Sequence, residues 1–398
     1  MASSGSAAAN GAESESTRSE LADIEAALAA DAALDTAADP SGSSGGPSPA
    51  RPSMNPDLAL VGSFAGALFS EEENHQTGAH DPTRTGFELL GLELAFGAAV
   101  DPALRFDGNL VFGHSGVELE EAYATTLALG ARLSARFGQF LSRFGRTNAL
   151  HPHAWHFADQ PLALGRVFGG EGLRGVGVEL SYLTPLPWFV ELTVAVTEAS
   201  GEETARSFLG DDERAPEDIE DLLAVAAIEQ FFPLSSDWSL AFGLSGAFGP
   251  SSTGAGNRTE VYGADLYLKY RPITERSPLE LTLTGEWLYR RRRIPGDVLD
   301  DANAFLELVL RFERRYGVGV RYELGSPSYG RDGEVATDPL DPEWRRTRSR
   351  IAAAMSYAPS EYSRFRVQGS RDSAFGEPVW AGFLTAEVAI GAHRAHAF

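Results

Sequence analysis

The chain has 398 residues, a formal net charge of −23 and no cysteine. These properties exclude a disulfide scaffold and a thiolate metal or redox site, and the acidic balance argues against nucleic-acid binding, which requires a basic surface. Lys269 is the only lysine, so arginine supplies 32 of the 33 basic residues. No apolar run approaches the ~18 residues that a membrane-spanning helix needs.

Residues 1–56 differ in composition from the rest of the chain. Ala, Ser, Gly, Asp and Glu dominate, and residues 41–52 resemble a flexible linker. Leu21, Ile24 and Leu28 recur at helical spacing. We therefore predict a flexible N-terminal extension over 1–56, with one short helix at about 19–35, followed by a single domain over 57–398.

The first residues contain no apolar segment of the kind found in a secretory signal peptide. Export would require such a signal. We expect that the start is misassigned or that the signal has been removed, rather than that the protein stays inside the cell.

From Asp57 onward the hydrophobic pattern has a period of two. In 304–313 the apolar residues Leu306, Leu308 and Leu310 alternate with polar ones, and the next segment repeats the pattern after a short turn. This alternation predicts β-strands with one apolar and one polar face. We count sixteen strands: 58–69, 84–100, 103–113, 117–128, 130–144, 172–183, 187–198, 219–232, 237–249, 258–271, 278–290, 302–314, 316–325, 345–358, 361–373 and 379–398.

Three features favour a transmembrane antiparallel β-barrel over a β-sandwich. The predicted strands are longer than the ~5–6 residues usual in globular sheets. Tight turns alternate with long polar loops, such as 145–171, 290–301 and 327–344. Aromatic residues gather at strand ends, as in the interfacial girdles of membrane barrels: Trp188, Phe189, Phe231, Phe232, Trp238, Tyr270, Trp287 and Tyr289.

An even count near sixteen suits a pore, because barrels of about this size enclose water. The final strand ends in Phe398. A terminal aromatic residue resembles the signal by which the barrel assembly machinery recognises its clients. We therefore predict that machinery and outer-membrane lipid as partners.

Arginines dominate the polar faces of several predicted strands. A charge on the lipid face costs several kcal/mol at mid-membrane, so these side chains are expected to point inward. They either form a ladder that favours anions or pair with inward carboxylates such as Glu280, Glu286, Glu307 and Glu323. Near Gly138 the alternation slips, which indicates a β-bulge. The predicted pore-lining residues are Arg132, Arg136, Arg311, Arg321, Arg346, Arg348, Arg350, Arg364 and Arg366.

The long loop 145–171 contains three of the eight histidines. Such a loop can fold into the lumen as a constriction, with its polar groups at the narrowest part. His151 and His153 could instead bind zinc, with Asp159 as a third ligand. His75 and His80 belong to another loop and are expected to be solvated. The predicted constriction-loop residues are Arg146, Asn148, His151, His153, His156 and Asp159.

No catalytic motif is present: the chain lacks a Gly-x-Ser-x-Gly elbow, a Walker loop, a His-Glu-x-x-His pair and a dinucleotide fingerprint. The carboxylate pairs at 211–212 and 300–301 fall in predicted loops and are expected to be solvated. We predict that the protein is not an enzyme.

Residues 117–187 carry a family resemblance. They contain VELEEAY (117–123), RFGQFLSRFGRTN (136–148), HPHAWHFADQPL (151–162), GGEGL (169–173) and LSYLTP (180–185). This region resembles the phosphate-selective porin O and P superfamily of Gram-negative bacteria, and uncharacterised proteins labelled zinc-regulated TonB-dependent outer membrane receptors.

The resemblance implies a barrel of sixteen strands with a constricting loop, often assembled as a homotrimer. It does not extend to phosphate selectivity, which in those porins relies on Arg and Lys ladders. Residues 1–56 are also too short and too polar for the plug domain of a TonB-dependent receptor.

The sequence thus predicts a passive outer-membrane pore for small hydrophilic solutes, leaning toward anions and needing no cofactor. One alternative is a metal- or ligand-binding outer-membrane receptor that uses the His-rich loop. A further alternative is a soluble all-β binding protein.

Overall fold

The computed structural model describes residues 56–72, 75–114, 116–212, 216, 218–272, 279–373, 376 and 378–391. Within these ranges the chain forms a closed antiparallel barrel of sixteen strands, in which each strand pairs with its neighbours in sequence and β1 closes the sheet against β16. The predicted fold class is confirmed. The helix predicted over about 19–35 and the terminal Phe398 lie outside the described residues.

The strands have the following bounds: β1 Asp57–Phe69, β2 Gly86–Asp101, β3 Leu104–Phe112, β4 Val117–Thr126, β5 Leu133–Leu141, β6 Arg174–Leu183, β7 Phe189–Thr197, β8 Leu223–Pro233, β9 Trp238–Pro250, β10 Arg258–Tyr270, β11 Glu280–Ile294, β12 Asp297–Phe312, β13 Tyr316–Gly325, β14 Arg348–Ser360, β15 Ser363–Asp372 and β16 Val379–Gly391. Helix α1 spans Leu162–Phe168. Among the described residues, no helix combines the length and apolarity needed to cross a membrane.

The barrel wall has an apolar outer face and a polar inner face. On β12, Leu306 and Leu308 are exposed on the outside, whereas Phe305 and Val309 point inward and are buried. The same parity continues across the paired register into β13, where Tyr322 lies beside Leu306 and Arg321 lies beside Glu307. A continuous apolar exterior of this kind is stable when it faces lipid.

The segment 290–301 was predicted as a long loop, and this prediction is wrong. Strands β11 and β12 continue through it and meet in a tight hairpin, with Arg290 paired to Asp301 across the sheet. Four consecutive arginines, 290–293, make both faces of this stretch polar, so no apolar alternation marked it as strand. Arg290, Arg292 and Asp301 are consequently buried rather than solvated.

Two predicted pore-lining arginines do not lie on strands. Strand β5 begins at Leu133, and Arg132 occupies the preceding turn with φ of 61°. Strand β14 begins at Arg348, so Arg346 belongs to the loop before it and is exposed. The strand boundaries were placed three residues too early in both cases, because a polar turn and the polar end of a strand look alike in sequence.

The bulge expected near Gly138 is not found there. The β4–β5 and β5–β6 pairings run through this position without a shift, and Gly138 itself has φ of +126°. The register shift lies instead between β3 and β4, where Glu120 is the additional residue. This bulge turns Glu120 and Glu121 toward the interior together, and both are buried.

Some strand-end aromatics face the interior instead of forming an outer girdle. Phe189 and Phe231 are paired across β7 and β8 and line a cavity inside the barrel. They share the parity of the inward residues Glu191 and Glu229. Trp238 and Tyr270 pack together at 4.8 Å between ring centroids, at positions whose parity places them on the outer face.

The main hydrophobic core lies inside the barrel and not between two layers. The loop 142–173, which we call the inner loop, carries α1, and its apolar residues pack against inward residues of the wall and of the loop 198–222. Phe144 and Phe168 meet edge to face at 4.9 Å. The interior is therefore partly filled by the protein itself. The cluster includes Phe140, Phe144, Leu164, Phe168, Phe208 and Val261.

Candidate functional site: the inner loop and the charged walls around it

The inner loop is closed at its base by one side chain. Asn148 donates to the carbonyl oxygens of Ser142 (2.8 Å) and Leu173 (3.1 Å), and its own oxygen accepts from the Leu173 amide at 2.7 Å. Asn148 is buried, so these bonds are shielded from water. The predicted constriction-loop residue Asn148 thus joins the two ends of the loop where they leave β5 and enter β6.

A carboxylate on β11 holds the first turn of the inner loop. Glu286 accepts from the amides of Arg146 (3.1 Å) and Thr147 (2.6 Å) and from the Thr147 hydroxyl (2.5 Å). Amides at the start of a helical turn have no partner within the turn, and an inward carboxylate satisfies them. Arg146 stacks its guanidinium over the Tyr267 ring at 3.8 Å.

The strands β13 to β15 bind the middle of the inner loop through Asp159. Its carboxylate receives Arg321 at 2.6 Å and Gln368 at 2.7 Å, and it lies 3.2 Å from Arg350. Asp159 is fully buried. The positive charges of Arg321 and Arg350 outweigh the effect of burial and lower the pKa of Asp159. Both arginines also bind Glu323, and Arg321 lies 3.5 Å from Glu307.

The next two arginines of this wall bind backbone atoms of the inner loop. Arg364 donates to the carbonyl oxygens of His153 (2.5 Å) and Trp155 (3.0 Å), and Arg366 donates to those of Trp155 (2.9 Å) and Phe157 (2.8 Å). Both guanidiniums also contact the carboxylate of Glu387. These arginines therefore point inward, but they serve as anchors for the loop.

The other predicted pore-lining arginines have separate partners. Arg136 forms an ion pair with Glu179 at 2.8 Å, and Arg348 pairs with Asp372 at 2.6 Å. Arg311 is exposed inside the barrel. Most inward arginines are thus engaged with carboxylates or carbonyl groups.

Arg166 fixes helix α1 near the end of the barrel where the long loops lie. This residue is buried and binds Asn303 (2.9 Å), the Ser326 carbonyl (2.7 Å) and Asp341 (3.2 Å). Asp341 also receives Arg206 at 2.9 Å. These ion pairs connect the inner loop to the loops 198–222 and 326–347.

Two histidines of the inner loop face an acidic wall formed by β2 to β4. His151 lies 3.1 Å from Glu120 and 3.0 Å from Glu121, and the Nδ1 of His153 lies 2.7 Å from Glu93. Burial opposes protonation of His151, but its bonds to Glu120 and Glu121 dominate and raise its pKa well above 6.5. The inner loop therefore lies between an acidic wall and a basic wall.

His80 was expected to be solvated in an outer loop, and this expectation is wrong. Its Nε2 lies 3.0 Å from Glu120 and 3.3 Å from Glu171. Burial opposes protonation of His80, but the hydrogen bonds and charges of the two carboxylates raise its pKa well above 6.5. The polar loop 70–85 folds into the barrel mouth, which its composition did not indicate.

The three predicted metal ligands are not brought together. Asp159 is enclosed by Arg321 and Arg350 on the basic wall, whereas His151 and His153 contact the acidic wall. His156 lies apart from both, where burial and then the positive charge of Arg364 lower its pKa to about 3. Short spacing along an irregular loop does not determine which wall each side chain faces.

The structure instead brings together groups that sequence reasoning missed. Glu93, Asn109 and Glu120 converge on His151, and Glu171 joins Glu120 at His80. The alternation of the sequence predicts that Glu93 on β2 and Asn109 on β3 point inward. It does not predict the bulge at Glu120 or the paths of the two loops that carry His80 and His151. The motif at 117–123, with its repeated glutamates, was the one visible signal.

Three cavities remain around the inner loop. One of about 880 Å³ opens at the end where short turns connect the strands, and it includes Asp57, Glu191 and Asp265. Another of about 690 Å³ at the same end includes Arg311 and Arg364. A third of about 670 Å³ lies at the long-loop end, near Arg206.

A void of about 30 Å³ lies between the first and third cavities. It shares Gly170 with the cavity at the long-loop end and His151 with the larger cavity at the short-turn end. His80, Glu120 and Glu171 line this void. This small void is therefore bordered by histidines and carboxylates.

A closed barrel of sixteen strands with a loop folded inside defines a porin-like β-barrel. Solved structures of outer-membrane channels share this fold. The outer membrane channel DcaP of Acinetobacter baumannii is 14% identical with a TM-score of 0.56, over 87% of this chain and 100% of that one. OprB of Pseudomonas putida is 11% identical with a TM-score of 0.55, over 84% and 94%. An anion-selective porin from Comamonas acidovorans is 12% identical with a TM-score of 0.55, over 84% and 99%.

The sequence comparisons add a relative without an assigned role. An uncharacterized protein of Aquifex aeolicus is 29% identical over 358 residues, which covers 83% of this chain and 74% of that protein. Residues 192–207 match the model of a repeat of unknown function. The solved channels are only 11% to 14% identical to this chain, so their similarity concerns the fold alone.

Proposed function

We propose that the protein is a passive outer-membrane pore for small hydrophilic solutes, without enzymatic activity. The observation that carries this proposal is the series of interior cavities, at both ends of a closed barrel, that meet at the inner loop. The apolar outer face and the likeness of the fold to outer-membrane channels support it. A soluble all-β protein would not expose so large an apolar surface to water.

The charges that border the larger cavity favour cations over anions. Most of the arginines that suggested an anion preference are bound to the inner loop or to carboxylates. The cavity of about 880 Å³ is bordered by seven carboxylates and three arginines. Fixed carboxylates attract cations, so we expect a cation-leaning pore. The carboxylates are Asp57, Glu93, Asp107, Glu121, Glu191, Glu229 and Asp265, and the arginines are Arg136, Arg143 and Arg146.

Swelling of liposomes that contain the refolded protein tests the pore directly. Uncharged sugars of increasing size are added outside, and the rate of swelling is recorded for each. We expect the smallest sugars to enter and the rate to fall steeply with size, because the inner loop narrows the lumen. Swelling no faster than in protein-free liposomes for every sugar would contradict the proposal.

We further propose that the protein forms a homotrimer, that the barrel assembly machinery recognises Phe398, and that the chain belongs to the phosphate-selective porin superfamily. Chemical cross-linking in detergent tests the trimer, and removal of Phe398 followed by measurement of outer-membrane insertion tests the assembly signal.

A further inference from the structure

Glu120 lies at the junction of two sets of side chains that could each hold a metal ion. Its Oε1 is 3.0 Å from the Nε2 of His80, which is 3.3 Å from Glu171. Its Oε2 is 3.1 Å from the Nδ1 of His151, which is 4.0 Å from Glu93. In each set, one ligand atom per residue lies within 4.8 Å of the others.

Glu120 and Glu171 are buried, and Glu93 is half-buried. Glu93, Glu120 and Glu171 lie inside the barrel, and burial of carboxylates requires compensating positive charge. Arg174 contacts Glu171, His153 contacts Glu93, and the side chains that face Glu120 are the imidazoles of His80 and His151. A divalent cation supplies the same charge and leaves both imidazoles neutral.

Asn109 provides an independent indication of a ligand. It is 4% exposed, and its amide nitrogen lies 2.7 Å from Glu93, 3.1 Å from Glu120 and 3.1 Å from His151. Its amide oxygen is buried without a hydrogen-bond partner. A half-turn about the last side-chain bond exchanges the two atoms. The amide oxygen then faces the centre of the His151 set as a fourth ligand.

We propose that this cluster is a binuclear site for divalent transition-metal cations in which Glu120 bridges two ions. One ion is held by His80, Glu120 and Glu171, and the other by His151, Glu93, Glu120 and the amide oxygen of Asn109. One imidazole with carboxylate and amide oxygens suits ions such as Zn²⁺, Mn²⁺ or Co²⁺. The site differs from the set predicted from sequence, because Asp159 is replaced by glutamates of the wall and His153 takes no part.

The site has a physical role that a surface cluster would lack. Its ligands come from the loop 70–85, from strands β2, β3 and β4, and from the inner loop. Bound ions would join these three parts beside the void of about 30 Å³ inside the barrel. Metal binding can be measured in detergent solution, so this inference stands or fails independently of the proposed pore.

Calorimetric titration of the detergent-solubilised full chain with Zn²⁺, after treatment with a chelator, tests the site. We expect two ions per chain. Glu120→Gln removes the shared ligand and should weaken binding of both ions at least 100-fold. His114→Ala, which removes an exposed imidazole outside the cluster, is the matched control and should bind as the wild type does.

A second variant keeps the proposal open to refutation if Glu120→Gln does not fold. His80→Ala removes one ligand set only, so the stoichiometry should fall from two to one, and the absorption of bound Co²⁺ should halve. Folding of each variant is checked by its heat-modifiable migration on gels. Absence of Zn²⁺ binding by the wild type, or equal stoichiometry in wild type and His80→Ala, would overturn the binuclear site.

Discussion

Asp159 shows how a single carboxylate can determine the position of a whole loop. It is fully buried, and its partners Arg321, Arg350 and Gln368 come from three successive strands. The desolvation of three charges is offset because each one meets an opposite charge or a hydrogen bond. Removal of one member leaves the others buried without compensation.

Asp159→Asn should therefore release the inner loop from the basic wall. Loss of one partner of a buried ion pair costs about 3–5 kcal/mol, much of it from the guanidiniums left unpaired. Limited proteolysis should cut the variant within 150–162 at a protease concentration that leaves the wild type intact. The exposed Asp332→Asn is the matched control. Equal resistance of Asp159→Asn and wild type would show that Asp159 does not hold the loop.

His156 gives the fold a specific sensitivity to acid. Burial and the neighbouring charges of Arg364, Arg311 and Arg366 lower its pKa to about 3 in the folded protein. In the unfolded chain the pKa is near 6.5, so below that pH the unfolded state binds a proton that the folded state does not. The contribution to stability is therefore unchanged above pH 6.5 and is lost as the pH falls toward 3.

His156→Gln should remove this component of the pH dependence. Between pH 6.5 and 4, the free energy of unfolding of the wild type should fall relative to that of His156→Gln, by at most about 1.4 kcal/mol per pH unit. Urea unfolding in detergent at several pH values measures the difference. Parallel pH profiles for the two proteins would show that His156 is not held neutral.

At the level of elements, a glycine allows β4 and β5 to approach each other. Gly138 has φ of +126°, and a Cβ atom there would lie 2.3 Å from the carbonyl oxygen of Ala122. Side-chain-bearing residues rarely adopt this backbone conformation, and the strand beside it leaves no space. The irregular alternation near residue 138 therefore reflects this glycine and its backbone conformation, and not a β-bulge.

Gly138→Ala should destabilise the barrel by ~1–3 kcal/mol from backbone strain, and by more where the clash separates the strands. The fraction that keeps folded, heat-modifiable migration should decrease at lower temperature than in the wild type. Gly369→Ala is the control, because a Cβ atom there has no neighbour within 4 Å. Identical transition temperatures for Gly138→Ala and Gly369→Ala would contradict this account.

The positions of some strands and loops can be predicted from the sequence, whereas those of others cannot. Strands such as β13, Tyr316–Gly325, were placed correctly because one apolar face repeats with period two. The hairpin at 290–301 was missed because arginines and aspartates occupy both of its faces. The length of the inner loop and its histidines indicated a loop folded into the barrel, but they did not indicate its partners on the walls. Contacts such as that between Asp159 and Arg321 join residues 162 positions apart, and no local pattern encodes them.

Across the whole molecule, opposite charges are separated by the inner loop. The acidic wall of β2 to β4 binds His151 and His153, and the basic wall of β13 to β15 binds Asp159 and the backbone carbonyls of the loop. This arrangement uses most inward arginines for structure. Among the carboxylates that face the larger cavity, Glu191 pairs with Arg143 at 3.0 Å, and Glu229 also lines the cavity.

The reversal potential in a salt gradient should consequently have the sign of a cation-preferring pore. The double variant Glu191→Gln and Glu229→Gln should reduce that preference, because it removes two fixed charges from the cavity. Glu313→Gln, in an exposed turn, is the control and should leave the potential unchanged. A reversal potential of the opposite sign would favour the anion preference that the arginines suggested.

The most direct measurement is the single-channel conductance of the wild type beside that of Asp159→Asn, each refolded and inserted into planar bilayers. If the inner loop narrows a water-filled barrel, the wild type shows small, stable steps, and the variant shows larger and less regular ones. Stable steps of equal size in the two proteins would contradict the loop as the constriction, and no steps from either folded protein would contradict the pore.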